Sequence, residues 1–176
     1  MTGRGGVDPD ATIMPISDYI RSIRSRIGHD YLLLPGVTAL VFNDGGEVLL
    51  NRRTDNGRWA VIGGMVDPGE EPAVACAREV LEETGCRVVV ERVSGVYLTP
   101  VITYPNGHVA QYVTTAFRCR TQDQPRVNDV ESTDVRFFPL HELPADLKPD
   151  HVTRIQHAVA GSGAYFTAPA LPGGPL

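Results

Sequence analysis

The longest helical pattern in the chain runs from Pro72 to Thr84. Ala73, Ala77, Val80 and Leu81 fall on one side of a 100° wheel, and Glu79, Glu82 and Glu83, at i, i+3 and i+4, fall on the other. Pro72 suits the first turn, where its missing N–H has no intrahelical partner to lose. Gly85 suits the left-handed residue just past the end. An earlier pattern, Ile16, Tyr19, Ile20, Ile23 and Ile27, predicts a helix over 17–27, capped by Ser17 and stopped at Gly28. Arg21, Arg24 and Arg26 project from it and read as a solvated face in preference to a phosphate contact. A terminal helix is expected over 150–159, capped by Asp150 and stopped by Gly161, and a short helical turn over 140–147.

Between these, β-branched and aromatic runs predict strands at 31–34, 37–42 and 47–53, the last two joined by the turn Asn43-Asp44-Gly45-Gly46. Further strands are expected at 87–93, 95–98 and 101–104. After the turn Pro105-Asn106-Gly107 the chain returns as a long strand over 109–117. Residues 121–129 form a polar loop that delivers Asp129, Glu131 and Asp134 to a last strand at 135–138. Hairpin-linked strands on both sides of a helix imply a mixed sheet, hence an α/β fold. Residues 1–15 and 161–176, rich in Gly and Pro, are expected to be flexible, leaving one domain over 16–160.

Composition narrows the function. At 176 residues and 42% hydrophobic content, the chain can bury one core. A net charge of -5 argues against stable nucleic-acid binding or a membrane-surface role, both of which need clustered Lys and Arg. The opening residues lack the apolar stretch of a secretory signal, and no run approaches a membrane span. Cys76, Cys86 and Cys119 are odd in number and lack metal-ligand spacing, so free thiols and a soluble, cytoplasmic protein are expected. His108, with no spaced partner, reads as an ordinary surface or satisfied histidine.

The acidic side of the 72–84 helix has two readings. It is a solvated face, since like charges at i, i+4 cost only about 0.2–0.5 kcal/mol per pair. Alternatively, its three hard oxygen donors hold Mg²⁺ or Mn²⁺. The solvated reading leaves unexplained why Arg78 stands among the carboxylates, and why Gly63-Gly64 and Glu70 precede them at fixed offsets.

These offsets resemble the Nudix hydrolase signature. Gly64, Glu70, Arg78, Glu79, Val80, Glu82, Glu83 and Gly85 fill it place by place. Cys86 stands where the family prefers an aliphatic residue, and a buried free Cys behaves as a small apolar one. Upstream, Trp59-Ala60-Val61-Ile62-Gly63-Gly64 is similar to a family pattern with Pro at the place of Ile62, a change that affects loop shape and removes no ligand.

The resemblance covers roughly residues 36–145. It implies a Nudix α/β/α sandwich, a mixed sheet between helices. It implies Mg²⁺ or Mn²⁺ held by Glu79, Glu82, Glu83 and carbonyls of Gly63 or Gly64. Catalytic roles fall on Glu82, Glu79, Arg78 and a further acid, for which Glu131 is the best match and Asp129 the second. Arg53 and Glu70 are the expected substrate contacts, with Arg53 either meeting a phosphate or bracing the acidic loop beside it. The implied reaction is hydrolysis of a pyrophosphate linkage in a nucleoside diphosphate-X or a nucleoside triphosphate, the ion neutralising phosphate oxygens and activating water. The alternative is a Nudix-fold binding or regulatory module without turnover. Family members are often homodimers, so the amphipathic 17–27 helix is expected to pack on its own domain or on a partner subunit.

Overall fold

The computed structural model describes residues 17–161 and 163–169. The expected N-terminal flexible stretch, Ile16 and residues 170–176 lie outside the described residues. The organising element is β1 (Leu32–Phe42), which carries side chains to both faces of the sheet. Val37, Ala39 and Val41 point to one core and Leu40 and Phe42 to the other, as the period of two along a strand requires.

The chain then runs β2 (Val48–Arg53), β3 (Trp59–Ala60), β4 (Ile62–Met65), α2 (Pro72–Thr84), β5 (Val89–Leu98), β6 (Ile102–Thr103), β7 (Val109–Arg120), β8 (Ser132–Phe138) and α3 (Pro149–Ala160), with α1 (Asp18–Ile27) ahead of β1. Among the described residues the eight strands form one sheet in the order β3-β2-β1-β7-β5, with β4 beside β1, β6 beside β7 and β8 beside β2. Strand β1 is parallel to β7 and antiparallel to β2 and β4, so the sheet is mixed. Helix α2 covers one face through Ala75, Cys76 and Val80, and α3 the other through Ile155 and Ala158. The expected α/β/α layering is therefore present. No helix among the described residues is long and apolar enough to cross a membrane.

Several local expectations are corrected. The strands expected at 31–34 and 37–42 are one strand, because Pro35 and Gly36 stay in register with Val113 and Thr114 of β7. The missing Pro35 N–H removes one donor from the ladder, while its carbonyl accepts from Val66 N. The strands at 87–93 and 95–98 are likewise one, β5, with register shifts at Val90/Arg92 and Val93/Gly95 that absorb extra residues as bulges. Residues 140–147 form turns and no helix: Pro139 and Pro144 interrupt the segment, and Leu147 plugs the α3-side core. Pro149 opens α3 with Lys148 at the cap position, so Asp150 lies inside the first turn instead of capping it.

Helix α1 packs on its own domain, through Ile20 against Leu34 and Ala110. Arg24 is 8% exposed, contrary to the solvated-face reading. Its guanidinium donates to the carbonyls of Gly28, Asp30 and Val109, satisfying groups that the loop and the start of β7 leave open. Beyond α3, Tyr165, in the stretch expected to fray, forms a parallel bridge to Gly95 and stacks on His157 with ring centroids 4.1 Å apart.

Candidate active site

Strand β4 and helix α2 meet at a glycine. Gly63 and Gly64 pair with Thr38 and Val37 of β1, and the Glu79 carboxyl occupies the space where a Gly64 Cβ would project. Neither glycine has a positive φ. Position 64 needs glycine for room, so that a carboxylate from the second turn of α2 can lie against the strand.

Arg78 clamps this junction. Its Nε and Nη2 donate to the two oxygens of Glu70, each at 2.9 Å, and Nη2 also reaches Met65 O at 3.1 Å. On the other edge Nη1 donates to Glu79 at 2.9 Å and Glu82 at 3.1 Å. Glu70 also accepts from Asp67 N, closing the 67–70 turn. The Arg78 bond holds the Glu70 carboxyl below its ordinary range, and the Glu70 bond in turn raises Arg78. For Glu79 burial outweighs the arginine and pushes the carboxyl up.

Glu83 points inward. It is 6% exposed and accepts a hydrogen bond from Asn51 Nδ2 on β2. Burial first, then the carboxylates of Glu79, Asp129 and Glu131, push its pKa well above 4.5, against a smaller opposing pull from Arg53.

The loop before β8 is hooked to the end of α2. Asn128 Nδ2 donates to the Leu81 and Glu82 carbonyls, Asn128 N to Glu83 O and Arg126 N to Thr84 O, partners for carbonyls that a helix end leaves open. Asp129 Oδ1 accepts from Glu131 N and Ser132 N, which turns Glu131 toward the acids of α2. Burial, then the neighbouring Asp129, raises the Glu131 carboxyl.

The result is a cleft of about 540 Å³ lined by Glu79, Glu82, Glu83, Glu131, Arg78 and Gly64, with Asp129, Val130, Asp67, Met65, Ser17 and Asp18 at its rim and walls. The expected catalytic acids thus share one cavity. Arg53 and Glu70 do not line it: Glu70 faces Arg78, and Arg53 forks onto Asp55 through two bonds of 3.0 and 2.9 Å. Asp134 also stands apart, paired with Arg136. Among the described residues, no three potential ligands are already gathered at metal-binding distance, since Glu79 and Glu82 are turned to the guanidinium. Asn51 and Asn128 were not singled out from sequence. The one available signal for Asn51 is a lone amide after the apolar run Val48-Leu49-Leu50.

Comparison with known proteins agrees with this geometry. Residues 32–158 match the model of the family described as NUDIX domain. A "MutT-like protein" of Streptomyces ambofaciens is 33% identical over 129 residues, 73% of this chain and 79% of that protein. A shorter match, to "Nucleoside triphosphatase NudI" of Escherichia fergusonii, is 36% identical over 62 residues, 33% of this chain and 44% of that one. Among solved structures, a UDP-X diphosphatase shares the fold with a TM-score of 0.61 at 22% identity, over 83% of this chain and 72% of that one. With the signature residues of α2 gathered about one acidic cleft, the chain belongs to the NUDIX domain family.

Proposed function

We propose that this Nudix pyrophosphohydrolase acts on a nucleoside diphosphate linked to a second group, or on a nucleoside triphosphate, with Mg²⁺ or Mn²⁺ held by Glu79, Glu82 and Glu83. The observation that carries the reading is the convergence of these three side chains and Glu131 on one cleft. Four carboxylates in a partly buried space are costly to keep charged: burial first, with repulsion from neighbouring carboxylates added to it, raises Glu79, Glu83 and Glu131. A hard dication with oxygen ligands is the partner such a donor set suits. Carbonyls of Gly63 or Gly64, on the strand against which Glu79 lies, complete the donors we assign. When bound, the ion offsets charge on the phosphate oxygens and lowers the pKa of a water molecule.

The chain's own residues do the rest. Glu131, raised above the usual carboxylate range, is the assigned general base for the attacking water. Glu70 and Arg78 hold the 65–70 loop against α2, so both act on the site by bracing it. Arg53 contacts a substrate phosphate by exchanging Asp55 for it, its planar fork suiting either anion. The match to a nucleoside triphosphatase supports a nucleotide substrate. Three buried cysteines without a disulfide, Cys76 and Cys119 with sulfurs 3.7 Å apart, suit a reducing compartment, and we place the reaction in the cytoplasm.

The test is release of nucleoside monophosphate from ADP-ribose, NADH, diadenosine polyphosphates and (d)NTPs, with pyrophosphate as the second product of the (d)NTPs, measured with Mg²⁺, with Mn²⁺ and with EDTA. Turnover is expected with either ion and none with chelator. Glu82→Gln and Glu83→Gln should each lower kcat at least about a hundredfold, some 2.7 kcal/mol of transition-state stabilisation. Full turnover in EDTA, or wild-type rates in both folded variants, would refute the assignment.

A further inference from the structure

Asn51 is 2% exposed and follows the buried apolar run Val48-Leu49-Leu50. Its Nδ2 donates to Glu83 Oε2 and, at 3.2 Å, to Ser132 Oγ. Its Oδ1 is enclosed and has no hydrogen-bond partner. An enclosed acceptor without a partner works against folding, so packing alone would favour a leucine at this place. The amide instead serves the carboxylate. Ser132, its second acceptor, begins β8 directly after Glu131, and both of their backbone N–H groups are held by Asp129.

We propose that Asn51 is a positioning residue, whose amide fixes the Glu83 carboxylate for a divalent cation and keeps it in register with the loop carrying Asp129 and Glu131. The inference rests on Glu83 being a ligand to that cation. A carboxylate has about four lone-pair sites, and one N–H on Oε2 restrains its rotation while leaving the other oxygen available. Side chains that orient a ligand in this way govern metal affinity although they never touch the ion. The bond also links β2, α2 and β8, so a shift of Glu83 is transmitted to the start of the strand beside Glu131.

The experiment uses the full chain as wild type, Asn51→Leu, Glu83→Gln and the double variant. Mn²⁺ affinity is read by electron paramagnetic resonance, Tm by thermal unfolding, and kcat and KM with the best substrate of the panel. Asn51→Leu should weaken Mn²⁺ binding about tenfold or more and lower kcat with little change in KM, with Tm confirming that the variant folds. Added to Glu83→Gln it should change Mn²⁺ affinity less than about twofold, because both act through one carboxylate. A folded Asn51→Leu that binds Mn²⁺ as wild type does, or that loses equally in both backgrounds, overturns the proposal. Wild-type Mn²⁺ affinity in Glu83→Gln removes the ligand assignment and this inference with it. Weakened binding in Glu83→Gln with none in Asn51→Leu removes the inference alone. Should Asn51→Leu not fold, Mg²⁺ titration of the wild type by NMR decides: the Asn51 side-chain NH₂ resonance should move on saturation, and a stationary one overturns the proposal.

Discussion

Gly63→Ala and Gly64→Ala add one methyl group to adjacent residues of β4 and should give opposite phenotypes. At Gly63 the new Cβ would lie 2.5 Å from the Val37 carbonyl oxygen, and neither that backbone nor Thr38 behind it can yield without shifting the β1–β4 ladder. Overpacking against backbone costs about 1–3 kcal/mol, and at about 2–4 °C per kcal/mol for a chain of this size Tm should fall by roughly 2–12 °C. At Gly64 the new Cβ meets the Glu79 carboxyl, the far end of a flexible side chain. Moving it gives up a partly exposed bond to Arg78, about 0–1 kcal/mol. The alanine returns about 0.4–1 kcal/mol by restricting the unfolded chain. Stability should therefore stay within about 1 kcal/mol, yet Glu79 is displaced from the cleft, and a misplacement of that size costs about a hundredfold in rate. Thermal unfolding and turnover of the two variants at saturating Mg²⁺ check this. A fully active Gly64→Ala, or a Gly63→Ala as stable as wild type, would refute the steric reasoning.

Cys86 is fully buried against the Thr84 and Asp123 carbonyls, and burial holds its thiol above the usual range. Cys86→Val should leave turnover intact with a stability change under about 1.5 kcal/mol, whereas Cys86→Asp buries an uncompensated carboxylate and should abolish folding; loss of turnover on thiol modification of a still-folded protein would show a different role. His151 on α3 carries a pKa pushed by burial down to about 4 from 6.5, despite Asp150 at 3.9 Å, so it is neutral at pH 7 and that contact is no ion pair. The folded state binds fewer protons than the unfolded one between these values. Its stabilising contribution is thus present above pH 6.5 and lost as pH falls toward 4, up to about 3 kcal/mol. Urea unfolding should show this decline, and His151→Gln should flatten it; equal slopes in the two proteins would count against the buried neutral imidazole.

Local signals made some elements legible and long-range pairing hid others. Pro72 and Gly85 bracket α2 at the residues where it starts and stops, because both act through the backbone of their own turn. Pro35-Gly36 looked like a break because nothing nearby shows that β7 lies alongside to hold them extended. On α2 the wheel put Leu81 in the packing arc, yet it is 43% exposed, while Cys76, Thr84 and the charged Glu83 are buried. The arc facing the sheet is set by the tilt of the helix across β1 and β7, which the helix's own sequence does not encode. Glu83 went unrecognised as an inward residue for the same reason, and with it the need for Asn51. Arg24 read as one of three ordinary surface arginines, since the carbonyls it satisfies come from the 28–30 turn and from β7.

The site also explains why its one central cation is an arginine. The chain carries a net charge of -5, and the cleft concentrates acids beyond that average. The Nε and Nη2 edge of Arg78 is committed to structure, forked onto Glu70 and bonded to Met65 O, while Nη1 alone faces Glu79 and Glu82. The two tasks are thus separated on one planar group. A divalent cation held by Glu79 and Glu82, as proposed, would take over the Nη1 bonds, and the other edge would still hold the 65–70 loop in place. A lysine could neutralise Glu79 and Glu82 as a point charge, but it has no second edge with which to keep the loop in place. On that proposal the cluster would exchange its internal counterion for an external one without losing the strand–helix junction that forms it.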